Sequence, residues 1–102
     1  MGFLSSLFGK KEKVDLGELI AQGAIILDVR TPGEFAQGHI KGAKNIPLDK
    51  LSSGMAKLSK TKPIITCCAS GMRSGAAKNL LRKNGFETVE NGGSWTSLRR
   101  YF

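Results

Sequence analysis

"KPIITCCASGMRSGAAKNLLRKNG", residues 62–85, decides how the chain is read. Lys62 to Cys67 is a short apolar run with β-branched residues, the pattern of a buried strand. From Ser74 onward comes the best helix pattern in the chain, with Ala77, Leu80 and Leu81 spaced for one face and Gly85 at its end. Cys67 and Cys68, the only two cysteines, stand side by side where one pattern gives way to the other. In open α/β sheets, ligands bind at such handovers, beyond the carboxyl ends of the strands.

The alternation continues outward. "VDLGELIAQG" (14–23) opens with Asp15 and Glu18 in capping-box spacing and closes at Gly23. "AIILDV" (24–29) reads as a second buried strand. "RTPGEFAQG" (30–38) repeats the helix-start grammar, with Thr31 as cap, Pro32 at the first helical position, Glu34 as reciprocal partner and Gly38 as stop. "AKNIPL" (43–48) is a brief strand broken by Pro47, and "DKLSSGMAKL" (49–58) a short helix of weak propensity. "FETVEN" (86–91) reads as the last strand, and "GGSWTSLRRYF" (92–102) as a turn at Gly92-Gly93 followed by a closing helix. Strands separated by helices predict an α/β fold, with a mostly parallel central sheet and helices on both faces. One domain is expected over residues 14–102, preceded by a mobile N-terminal tail over 1–13.

A chain of 102 residues that is 40% hydrophobic and 24% charged has an ordinary globular composition. No apolar run approaches the roughly 18 residues of a membrane span. In "MGFLSSLFGKKEK" the basic residues follow the apolar ones, the reverse of a secretory signal, so a cytoplasmic location is expected. Phe3, Leu4, Leu7 and Phe8 would share one face of a short helix, but two turns bind weakly, so no membrane contact is expected from the tail. "MGFLSS" also fits an N-myristoylation pattern, which is short and frequent by chance. Adjacent cysteines do not easily bridge each other, and two cysteines with one histidine do not make a zinc site. No metal is expected. The net charge is +8, and from Lys57 onward nine Lys or Arg face only Glu87 and Glu90, which favours anionic partners. Aromatic residues are not interleaved with the basic ones, so nucleic acid is not expected.

A helix start presents unpaired N–H groups and a positive dipole end, which stabilise a thiolate. Arg73 adds a charge and a planar fork suited to an oxyanion, and Ser70 and Gly71 allow a tight curl. The candidate cradle is therefore Ala69, Ser70, Gly71, Met72 and Arg73. Counted from Cys68 the unit is Cys-x-x-x-x-Arg; counted from Cys67 it gains one residue and looks like the loop of cysteine phosphatases and some arsenate reductases. Phosphoryl transfer wants a proton donor for the leaving oxygen, and this loop holds no acid. Cys67 also continues the strand, so the reading favours Cys68 as nucleophile.

"ILDVRTPGEFAQGHIKGAKNIPL" resembles the amino-terminal signature of the rhodanese-like domains. "CASGMRSGAAKNLLRKNGFETVENGGSW" resembles their active-site loop, the helix after it and the closing Gly-Gly segment with its Trp. The resemblance covers about residues 14 to 102 and implies a three-layer domain that moves sulfur as a persulfide on Cys68. It implies a small anionic sulfur donor such as thiosulfate, a thiol or cyanide as acceptor, and no organic cofactor. A persulfide carrier that docks a protein acceptor is the alternative. The family often has an aromatic residue where this chain has Cys67, which leaves open whether Cys67 resolves the persulfide or fills space. A strand side chain next to Cys68 points away from it, which favours filling. Asp28, Arg30 and His39 are read as structural support for the rim.

Overall fold

The computed structural model describes residues 14–102; residues 1–13, on which the expected mobile tail, shared apolar face and lipidation pattern fall, lie outside the described residues. Four parallel strands form one sheet in the order β2-β1-β3-β4: β1 is Ile25–Asp28, β2 Lys44–Asn45, β3 Ile64–Cys68 and β4 Val89–Ser94. The helices are α1 (Leu16–Ala21), α2 (Pro32–Ala36), α3 (Leu51–Gly54) and α4 (Met72–Lys83). Short 3₁₀ turns flank α3, at Leu48–Lys50 and Met55–Lys57, and a longer one, Trp95–Tyr101, closes the chain.

All five residues of β3 are buried, because the strand is central and covered on both faces. Its side chains divide by the two-residue period of a strand. Ile64 and Cys68 pack with Leu27, Val29, Leu51, Ala77 and Leu81, the layer under α3 and α4. Ile65 and Cys67 pack with Ile26, Ile40 and Leu98, flanked by Leu16, Leu19 and Ile20 of α1 and by Trp95. The domain is thus a three-layer α/β structure. Its strand order turns back between β1 and β3, so the crevice that such sheets use for ligands lies beyond Asp28 and Cys68.

The helix starts follow the sequence signals. Asp15 accepts from the Glu18 amide, and Thr31 and Glu34 form a complete capping box with Pro32 at the first helical position. Three expectations change. The helix expected from Ser74 begins two residues earlier, at Met72. Gly92-Gly93 is not a turn between a strand and a helix, and the expected strand over 86–91 shifts to Val89–Ser94 and runs through both glycines. Thr66 pairs with Asn91 but Cys68 pairs with Ser94, so β4 carries one extra residue there, a bulge. The physical reason is space: a Cβ on Gly92 would stand 2.8 Å from Ile65 Cγ2 and 3.0 Å from the Thr66 carbonyl. The closing segment is 3₁₀ rather than α-helical.

Candidate active site

β3 delivers Cys68 to the rim, and α4 begins four residues later with no side-chain cap at its N-cap, Gly71. Cys68 Sγ takes that place. It accepts from the Gly71 amide at 3.0 Å and the Ser74 amide at 3.3 Å, and lies 3.3 Å from Ser74 Oγ. Gly71 adopts φ +107°, a left-handed conformation that directs its N–H inward, and a Cβ there would press on Gly93 Cα at 3.4 Å. Burial alone would push the Cys68 thiol up. The Ser74 hydroxyl and the amides of Ser74, Gly71 and Ser70 outweigh it and hold the thiol below its ordinary value.

Cys67, one residue earlier, has the opposite surroundings. It is fully buried on the other face, beside the Asp28 carboxylate, and is pushed up to about 12 by burial first and by that charge second. A loop counted from Cys67 therefore has no stabilised thiolate to work with.

Arg73 stands at the loop's far end, but its fork is not empty. Nη1 and Nη2 donate to the two carboxylate oxygens of Glu34 at 2.8 and 3.0 Å, a bidentate pair that ties α4 to α2. The sequence shows Glu34 only as a capping partner; its carboxylate serves Thr31 and Arg73 at once. Arg73 also lines a cavity of about 340 Å³ with Val29, Thr31, Pro47, Leu48 and Asp49, at the turning point between β1 and β3. Of the other loop residues, Ala69 and Ser70 are exposed, and Met72 is 82% exposed.

The three residues read as support lie around the rim. Arg30 grips Asp28 through Nε and Nη2 at 2.9 and 2.7 Å, and it donates to the carbonyls of Glu34 and Gly38. Its guanidinium and that of Arg99 each stand 4.8 Å from the Trp95 ring. Asn45 adds a clasp, donating to the carbonyls of Asp28 and Arg30. His39 stacks on Phe35, with ring centroids 3.6 Å apart, and its Nδ1 lies 2.7 Å from the Phe35 carbonyl.

Two site residues escaped the sequence reading, Ser74 and Asn91. Ser74 follows the loop arginine and looks like a first-turn helix residue, and Asn91 looks like the end of a strand. Only the folded chain shows that Asn91, paired with Thr66 of β3, meets Ser74, with Ser74 Oγ 2.6 Å from Asn91 Oδ1. Among the described residues no cluster of three or more His, Cys, Asp or Glu could hold a metal. No described helix is long and apolar enough to cross a membrane.

Residues 12–97 match the sequence model of the rhodanese-like domain. The uncharacterised Bacillus subtilis protein YqhL is 44% identical over 68 residues, covering 67% of this chain and 54% of its own length. The thiosulfate sulfurtransferase PspE of Escherichia coli is 38% identical over 69 residues, 66% of each chain. The chain thus spans between about half and two thirds of these curated relatives. A solved structure of an Escherichia coli rhodanese with anions superimposes with a TM-score of 0.71 at 33% identity, covering 76% of this chain and 93% of that one.

Proposed function

Because the chain belongs to the rhodanese-like domain family, we propose that it is a sulfurtransferase that carries sulfur as a persulfide on Cys68. The observation that carries this reading is the convergence of two amides and a hydroxyl on Cys68 Sγ. These donors hold a thiolate at a helix start, and an ionised thiol needs no general base to attack.

In the first half-reaction the Cys68 thiolate attacks the outer sulfur of a donor such as thiosulfate. An S–S bond forms, the donor's own S–S bond breaks, and sulfite leaves with the electron pair; three negative charges stand on each side. The loop from Ala69 to Arg73 faces the dianion. Glu34 takes one N–H from each terminal nitrogen of Arg73, and the remaining N–H groups serve the donor's oxygens. In the second half-reaction cyanide or a thiolate attacks the terminal sulfur and Cys68 leaves as the thiolate. His39, Asp28 and Arg30 act through the shape of the rim. No metal or organic cofactor enters either step.

A small anionic donor is supported by the basic charge, +8 overall, by the name of the Escherichia coli relative and by the anions in the solved rhodanese. A second reading, transfer to a protein acceptor, draws on the exposed Met72 side chain at the loop's edge. The test is intact mass after incubation with thiosulfate. The expected result is a gain of one sulfur atom, reversed by cyanide and absent in Cys68→Ser. No gain, or a gain that survives Cys68→Ser, overturns the reading.

A further inference from the structure

Ser74 has one hydroxyl proton and two acceptors within reach. Its Oγ lies 2.6 Å from Asn91 Oδ1 and 3.3 Å from Cys68 Sγ. The orientation of the Asn91 amide follows from its other bonds: Oδ1 accepts from the Gly93 amide at 2.9 Å, and Nδ2 donates to the Gly71 carbonyl at 3.1 Å. Asn91 Oδ1 and a Cys68 thiolate are therefore rivals for one proton.

We propose that Asn91 is a positioning residue for the nucleophile, acting through Ser74: it draws the Ser74 hydroxyl off Cys68 whenever the sulfur is not a full thiolate. The proposal rests on Cys68 being the nucleophile, and it follows from counting donors. While Cys68 is a thiol, its S–H points to Ser74 Oγ and the Ser74 O–H points to Asn91. When the thiol gives its proton to solvent, Sγ can only accept, and the hydroxyl turns to it. Asn91 Oδ1 then keeps the Gly93 N–H and is not stranded. When Sγ takes up a second sulfur, the charge moves to the terminal atom, and the hydroxyl returns to Asn91. The swing runs backward as the acceptor strips the sulfur. Ser74 is buried, and Asn91 is held by the pairing of β4 with Thr66 of β3, so the exchange is local.

The charged groups around Cys68 do not perform this role. Arg73 is paired with Glu34, Glu90 on β4 is paired with Lys78 and Arg82, and Asp28 and Arg30 are paired with each other on the face of Cys67.

The test is the pH dependence of Cys68 alkylation by iodoacetamide in wild type, Ser74→Ala, Asn91→Ala and the double variant, each checked for folding by thermal melting. It reads the thiol directly and does not depend on sulfur transfer, whereas the mass experiment tests the transfer. Ser74→Ala is expected to raise the midpoint by about one pH unit, the worth of one hydrogen bond to a charged group. Asn91→Ala is expected to lower it by about half a unit, because the hydroxyl is freed for the thiolate. In the Ser74→Ala background Asn91→Ala is expected to shift nothing. A residue that only braces the loop through Gly71 predicts the reverse sign, or the same shift in both backgrounds, and either result overturns the proposal. Should Asn91→Ala not fold, Asn91→Asp decides. Its added charge raises the midpoint in both backgrounds, and the rise must be larger where Ser74 is present; equal rises overturn the proposal.

Discussion

Cys67 and Cys68 are neighbours in sequence and opposites in chemistry. Both are buried. Cys67 enters the layer of Ile26, Ile40 and Leu98 beside a buried carboxylate, and its thiol is pushed up to about 12. Cys68 enters the opposite layer, but at the last position of β3, where the loop folds three N–H or O–H donors onto its sulfur. Burial has the same sign for both. What separates them is whether donors replace the lost water, and the alternation of a strand decides that by which face each thiol takes.

The sharpest way to break this contrast is to exchange serine for each sulfur. Cys68→Ser is expected to lower thiosulfate:cyanide transfer by about 10³-fold or more, as loss of a covalent nucleophile does. Cys67→Ser is expected to keep most of the activity. Steady-state thiocyanate formation measures both, and an inactive Cys67→Ser with an active Cys68→Ser would reverse the assignment.

Much of this was legible beforehand. The strand, loop and helix of residues 62–85 show in hydrophobic period and glycine placement, and α2 shows in the Thr31-Pro32-Glu34 grammar, because these signals are local. The resemblance to a known family added the expected chemistry. What stayed hidden depends on contacts between distant segments. The Glu34–Arg73 pair joins residues 39 apart, and Ser74–Asn91 joins residues 17 apart. The bulge at Gly92-Gly93 reads as a turn in the sequence because two glycines signal both, and only pairing with β3 tells them apart.

The face of Cys67 offers a second probe. There the buried polar groups are satisfied: Asp28 is fully buried and is held by Arg30, which in turn reaches two carbonyls. Removing one partner leaves the other charge buried and unpaired, so Asp28→Ala is expected to cost about 3–5 kcal/mol of stability. Urea denaturation measures it. A loss well below about 1 kcal/mol would mean that the cluster is not the brace of the rim.

The smallest expected effect lies in the Glu34–Arg73 pair, where the face of Cys68 meets solvent. Arg73 first, then the Thr31 amide, hold the Glu34 carboxyl at about 2, against an ordinary value of 4.5. A carboxyl lowered on folding stabilises the fold above its unfolded value, and that contribution is lost as pH falls through the folded value. The pair's contribution is therefore whole above about pH 4.5 and fades between there and about pH 2. Both side chains are more than a third exposed, so the contribution is screened and small. Following the urea midpoint against pH for wild type and Glu34→Gln is expected to give a constant gap at neutral pH that closes through this window. Arg73→Ala leaves Glu34 with Thr31 alone, so the wild-type fading is expected to shift toward higher pH and narrow. A gap that ignores pH would show that Glu34 acts through shape alone. It would also remove the ion pair from the account of how the loop of Cys68 is held.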